Sequence, residues 1–299
     1  MTERFLSVLI GVGSAFIGVF MAFLSTQSVA APLIVTDDLG RKVELKQPAQ
    51  RIAALAPFLT ELAFAAGAGP RVVGVSAFSD YPAQARKLPE VASATGIALE
   101  PLLSLHPDLV LAWADTIRAE EIARIEQLGA PVFVARARRL DDAPRLLLVV
   151  ARLAGLDASS RAATYRERIE TLRRAHASLR PVNALVEIWS QPLTTIGADH
   201  WIDEALAACG ARNAFADVPG VAPMLDWEQV YARDPQAIVG MGALDRRAAF
   251  EARWRERPAL TAVRAGRFVY VDADLLQRPT LRLAEGVTQL CAGLDRVRP

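Results

Sequence analysis

The chain has 299 residues, 52% of them hydrophobic, so it is long enough for two ordinary domains with substantial cores. Its 34 lysines and arginines nearly balance 33 aspartates and glutamates, leaving a net charge of +1. That balance supplies no basic excess to neutralise phosphates and argues against a nucleic-acid partner.

Residues 1–30 read as a cleaved export signal. Arg4 precedes an apolar run from Phe5 to Leu24, a polar stretch follows, and Ser28-Val29-Ala30 is an A-x-A-like cleavage site. The alternative is a retained membrane anchor, since the run is about long enough to span a bilayer. Gly11, Gly13, Ser14, Ala15 and Gly18 weaken it as an anchor, and no cysteine follows to carry a lipid. The mature chain would begin at Ala31 and be soluble and exported.

Leu33 to Leu45 predicts a hairpin turning at Asp37 to Gly40. Strands are expected at 51–56, 71–75, 109–113 and 132–135. Helices are expected at 60–67, 99–105, 117–128 and 143–154, several of them stopped by Gly. Asp157 is expected to cap a long helix from Ala158 to about Leu179, stopped by Pro181. At ~1.5 Å per residue this is a rod of roughly 33 Å. Strand and helix then alternate again: strands at 184–189, 237–241 and 268–271, helices at 201–209, 227–232, 250–256 and 281–297. Such alternation implies parallel pairing through crossovers. The expected fold is α/β, with two Rossmann-like lobes (31–156 and 181–299) joined by a single long helix (157–180) and a cleft between them.

One pattern occurs twice. Glu100 and Glu228 each open a short helix, Pro107 and Pro235 follow seven residues later, and an apolar strand comes directly after. The helix dipole favours an acidic residue in a first turn by about 0.3–1 kcal/mol. That explains either Glu alone but not their common offset. A matched acidic pair on two similar lobes suits a two-fold partner, whose grip such charges would orient.

Signals for catalysis are missing. Gly67-x-Gly69 follows a helix and lacks the remaining glycine of a dinucleotide fingerprint, and there is no P-loop, H-E-x-x-H or G-x-S-x-G. His106, His176 and His200 lie far apart, so neither a metal cluster nor a nucleophile–base pair is visible. The reading is a binding protein and not an enzyme; an exported hydrolase is the remote alternative. Aromatics stand where expected strands end: Phe58, Phe78, Tyr81, Trp113 and Trp189, with Trp201 a short loop further on. Loops at those ends line the clefts of open α/β sheets, so these residues suit a broad, partly apolar ligand. Cys209 and Cys291 are the only cysteines. In an exported protein an even pair most often forms a disulfide, the alternative being two buried thiols.

Segments Ala56–Gly67, Val72–Pro82, Leu99–Trp113, Cys209–Phe215, Glu228–Val239 and Gln289–Cys291 together resemble the periplasmic vitamin B12 (cobalamin) binding proteins of ABC importers. These sit within the wider class of helical-backbone binding proteins that includes siderophore and haem binders. Ser79-Asp80-Tyr81-Pro82 and the cysteine placement are the features most specific to the cobalamin branch. The resemblance implies a monomer in the periplasm, two lobes on one long helix, and a corrinoid as cargo with no resident cofactor or metal. It implies a Cys209–Cys291 disulfide, puts Phe78, Trp113, Asp274 and Arg278 near the ligand, and has Glu100 and Glu228 meet arginines on the permease dimer of the inner membrane. The chain departs from the pattern at Phe78, commonly Tyr, and at Ala94, Thr194 and Ala222, where large aromatics are expected. The same fold carrying haem, with Tyr81 as axial ligand, or a ferric siderophore is the alternative.

Overall fold

The structure, a computed structural model, describes residues 32–299. The expected export signal lies outside them. The predicted hairpin forms from β1 (Leu33–Thr36) and β2 (Lys42–Leu45), antiparallel, with Gly40 at φ +80° in its turn. A side chain would strain that conformation.

The first lobe contains β3 (Ile52–Ala54), α1 (Pro57–Ala65), β4 (Val72–Ser76), β5 (Glu90–Ser93), β6 (Gly96–Ile97) and α2 (Leu99–Ser104). It continues with β7 (Leu109–Trp113), α3 (Ala119–Gln127), β8 (Val132–Ala135) and α4 (Asp142–Leu153). Its six strands lie in the order β6-β5-β4-β3-β7-β8. All pairs are parallel except β5 with β6, a departure from the uniform pairing expected. Pro57 does not only end the strand before it. It starts α1, where its fixed φ suits the helix and its missing N–H is not needed.

After α5 (Ser159–His176), the second lobe runs β9 (Val182–Glu187), β10 (Trp189–Ser190), β11 (Leu193–Thr194), α6 (Trp201–Ala208), β12 (Ala211–Asn213) and α7 (Trp227–Arg233). Then come β13 (Ala237–Gly242), α8 (Arg247–Arg255), α9 (Thr261–Arg264), β14 (Phe268–Asp272), α10 (Ala273–Leu276) and α11 (Leu283–Val297). Four parallel strands form the order β12-β9-β13-β14. No helix among the described residues is long and apolar enough to cross a membrane.

The long helix is shorter than expected, 18 residues against about 22. Asp157 lies outside it and takes the Ser159 N–H on its carboxylate at 2.8 Å. At the other end the residue before Pro181 disfavours helical backbone. The last turn closes early, with Leu179 N–H on His176 O and the His176 ring on Leu172 O. α5 packs on α4 of the first lobe and on α6 and α11 of the second.

Strand periodicity explains how the lobes join. Leu109, Leu111, Phe133 and Ala135 point into one core, Val110, Ala112, Val132 and Val134 into another. The first core is shared. It continues through Leu146 of α4 and Ile169 of α5 to Leu206 of α6 and Leu290 of α11. The outer face of the second sheet has its own core around Phe215, Phe250 and Trp254. The junction is therefore broader than the rod alone.

Cys209 and Cys291 are bonded, S–S 2.01 Å, tying the end of α6 to α11 across 82 positions of sequence. Cys291 lies within α11 and not at its end. Closing a loop of that length is worth about 4.5 kcal/mol by chain entropy, an upper figure.

The repeated pattern is a repeated structure. α2 and α7 begin at Leu99 and Trp227, and β7 and β13 at Leu109 and Ala237, with one offset throughout. Each helix stops at a left-handed residue before the proline, His106 at φ +45° and Asp234 at φ +39°. β7 and β13 occupy equivalent places, each beside the first strand of its own sheet's parallel core.

Candidate functional site

In each sheet the strand order reverses once. From β3 the chain goes to β4 on one side and β7 on the other; from β9 it goes to β12 and to β13. At such a switch point the connections leave in opposite directions and open a crevice beyond the strand ends. Trp113 ends β7 at the first switch point, and Trp189 follows β9 at the second.

A cavity of about 600 Å³ spans the two lobes there. Trp113, Asp115 and Arg138 line it from the first lobe, and Trp189, His200 and Trp201 from the second. Trp189 is 65% exposed and donates its indole N–H to Gln191 O at 2.9 Å. Trp201 is buried, its N–H held by Leu276 O at 2.9 Å, so only part of the ring reaches the cavity. Phe58 is buried too. It meets Trp113 edge-on at 5.6 Å and braces the wall from behind rather than lining it. Ala222 also lines this cavity, and its small side chain leaves that wall open. A second cavity of about 440 Å³, mainly in the second lobe, shares Ile188, Trp189 and Gln277 with the first and holds Glu187 with Arg253. A groove of about 710 Å³ lies off the switch points, between α1 and the turn before α11.

Phe78, Tyr81, Asp274 and Arg278 gather at a different place, where the lobes are fastened. Glu61 on α1 is 4% exposed. It accepts from Arg278 at 2.9 Å and from Arg282 at 2.7 and 3.0 Å. Arg278 also reaches Asp80 at 2.8 Å, Asp274 at 3.1 Å and Phe78 O at 3.3 Å. Burial works against the charge of Arg278, but Asp80 and Glu61 outweigh it and raise its pKa. Burial likewise opposes the charge of Asp80, yet its hydrogen bond and attraction to Arg278 prevail and lower its pKa. Arg282 stacks over Tyr81, its guanidinium 3.8 Å from the ring centre, a cation–π contact. Phe78 stands 77% exposed at φ +64°. So Arg278 is committed to carboxylates and presents little free charge to a ligand.

At the large cavity Arg138 is held in the same way. Asp115 accepts two hydrogen bonds from it, at 2.7 and 2.5 Å, and Asp199 of the second lobe lies 3.3 Å away. The Asp115 hydrogen bonds, set against burial, raise the pKa of Arg138. Beside it, burial and then the charge of Arg138 push His200 down to about 4.

Glu100 and Glu228 are both exposed, in the first turns of α2 and α7. Asp226 caps α7 as expected, accepting from Gln229 N–H at 2.8 Å, and Ala98 offers α2 no such cap.

Residues 52–275 match the periplasmic binding protein family. The chain belongs to that family. A vitamin B12-binding protein of Vibrio cholerae serotype O1 is 36% identical over 250 residues, 83% of this chain and 90% of that one. The crystal structure of the periplasmic vitamin B12 binding protein BtuF of Vibrio cholerae superposes with a TM-score of 0.77. It is 34% identical and covers 84% of this chain and 98% of that one. The apo periplasmic heme-binding protein RhuT from Roseiflexus has a TM-score of 0.73 at 25% identity, over 83% and 99% of the two chains.

Within this binding-protein fold, four residues escaped the sequence reading: Glu61, Arg282, Arg138 and His200. Glu61 alone left a signal, the single charge in a mostly apolar helix, Pro57 to Ala65. Arg282 and Arg138 owe their roles to partners far along the chain, and His200 to the cavity it lines.

Proposed function

We propose that this periplasmic binding protein captures a corrinoid, cobalamin or a close relative, and delivers it to an inner-membrane ABC permease. The observation that carries the reading is the aromatic cavity across both switch points, framed by Trp113, Trp189 and Trp201, in a chain over one-third identical to vitamin B12-binding proteins along most of its length. Flat rings in a cleft of this size suit the face of a macrocycle. A ferric catecholate or carboxylate siderophore is an anionic chelate that calls for free arginines. In the large cavity Arg138 is already held by carboxylates, and so is Arg278 at the lobe junction. Binding is by burial between the lobes, without covalent chemistry. The broad shared core and α5 limit their closure to a small movement.

Export to the periplasm by a cleaved signal, action as a monomer and docking through Glu100 and Glu228 complete the proposal. Equivalent helices in equivalent sheet positions support the docking role, since they present two exposed carboxylates related as the lobes are. Titration calorimetry with cyanocobalamin and with dicyanocobinamide tests the cargo. Binding of at least one is expected at micromolar concentration, and binding of neither ends the corrinoid reading. Glu100→Ala combined with Glu228→Ala is expected to leave that affinity intact and to lower uptake through the permease about tenfold or more. Unchanged uptake removes the docking role.

A further inference from the structure

We propose that His200 is a ligand-binding residue, a fixed neutral N–H donor on the wall of the large cavity, placed for an uncharged carbonyl or carboxamide oxygen on the rim of a macrocycle. The inference rests on the corrinoid reading and names the edge chemistry that the cavity selects.

The geometry fixes the proton. His200 sits just before α6 in extended backbone, and its Nδ1 accepts from the Ile202 backbone N–H at 3.1 Å. A backbone N–H is only a donor, so Nδ1 carries no hydrogen and the neutral ring bears its proton on Nε2. The ring is clamped against Trp201, centroids 4.0 Å apart. It is 8% exposed and lines the cavity. Among the described residues the one hydrogen bond of its side chain is the Nδ1 contact, which leaves Nε2–H without a partner. Nε2 is not one of the fully buried unpaired polar atoms, so its N–H reaches the cavity, where an acceptor on the ligand can meet it. The same geometry argues against metal ligation. Coordination through Nε2 would displace the ring's proton while Nδ1 is already occupied as an acceptor.

The neighbours set the class of acceptor. Arg138 lines the same cavity but is shared between Asp115 and Asp199, one cation between two anions. A carboxylate arriving there meets a net negative cluster, whereas a neutral amide does not. The depressed pKa of His200 agrees, since the ring stays uncharged near neutrality and offers no cation.

His200→Asn separates the two halves of the ring. Its side-chain oxygen stands in for Nδ1 and keeps the cap on α6, but no atom replaces Nε2. In calorimetry the variant is expected to bind cyanocobalamin about tenfold more weakly than the unmodified protein, the loss of one hydrogen bond. Its thermal midpoint should stay nearly unchanged. His200→Gln, which carries an N–H toward the Nε2 position, is expected to recover part of the loss. Haemin, with two carboxylates on its rim, is expected to bind the unmodified protein at least tenfold more weakly than cyanocobalamin. Wild-type affinity in His200→Asn overturns the donor role while leaving the corrinoid reading in place. Equal or tighter binding of haemin overturns the amide preference. Failure of the unmodified protein to bind any corrinoid overturns both the reading and the inference.

Discussion

Two of the ionic clusters that join the lobes are built from the same side-chain types and put to different use; Arg139 and Glu204 make a further contact, at 2.9 Å. Around Glu61 the shared ion is a carboxylate, its side chain 3% exposed, reached by Arg278 and Arg282 from the far lobe. Around Arg138 the shared ion is an arginine, paired closely with Asp115 of its own lobe and loosely with Asp199 of the other, whose side chain is 74% exposed. The Coulomb attraction across a pair depends on its surroundings: water weakens it, burial strengthens it and makes its loss expensive. The first cluster is therefore a fastener, and the second is a wall of the cavity that happens to cross the gap. What distinguishes them is how dry the partner across the gap is, Arg278 with a side chain 15% exposed against Asp199 at 74%, not how many pairs the central ion makes.

The sharpest way to break this comparison is to remove the dry ion. Glu61→Ala leaves Arg278 and Arg282 partly buried without their common partner and is expected to cost about 4 kcal/mol, measured by urea denaturation. A cost below about 1 kcal/mol would make the two clusters equivalent. The next effect belongs to the other side. His200 has a folded pKa of about 4 against an ordinary 6.5. Between those values the unfolded chain takes up a proton that the folded one refuses. The contribution of the neutral ring is whole above pH 6.5 and is lost as pH falls toward 4, by roughly 3 kcal/mol. The stability difference between the unmodified protein and His200→Asn should be flat above pH 6.5 and shift against the unmodified protein below it. A difference independent of pH would mean that the ring is not held neutral by burial.

Much of the fold was legible because period and punctuation agreed. β7 and β8 read as continuous apolar runs since helices cover both faces of their sheet, and their observed limits are the expected ones. β5, β6 and β12 were not legible. Glu90–Ser93, Gly96–Ile97 and Ala211–Asn213 are short and partly exposed, and their pairing comes from neighbours already in place. The same divide runs through the site. Trp113 and Trp189 were visible as aromatics at strand exits, a local property. Phe58 and Trp201 carry the same signal, but how far each reaches the cavity depends on what packs against it: Trp113 for one and the Leu276 carbonyl for the other. The ion clusters join residues as distant as Glu61 and Arg282, and no periodicity in one segment announces a partner in another.

The smallest expected effect bears most directly on the wall. Asp199→Ala removes the wet partner of Arg138, 3.3 Å from Nε, and leaves the two Asp115 contacts intact. A solvent-exposed pair is worth about 0–1 kcal/mol, and salt screens it. The loss should therefore stay below about 1 kcal/mol in dilute buffer and vanish at about 1 M salt, where the screening length falls to roughly 3 Å. Urea denaturation at both salt concentrations measures it. A larger loss, or one indifferent to salt, would show that Asp199 is drier than its exposure indicates and that the Arg138 cluster fastens the lobes as Glu61 does. A small and screened loss leaves Asp199 as an exposed negative charge beside Arg138 that carries little of the fold.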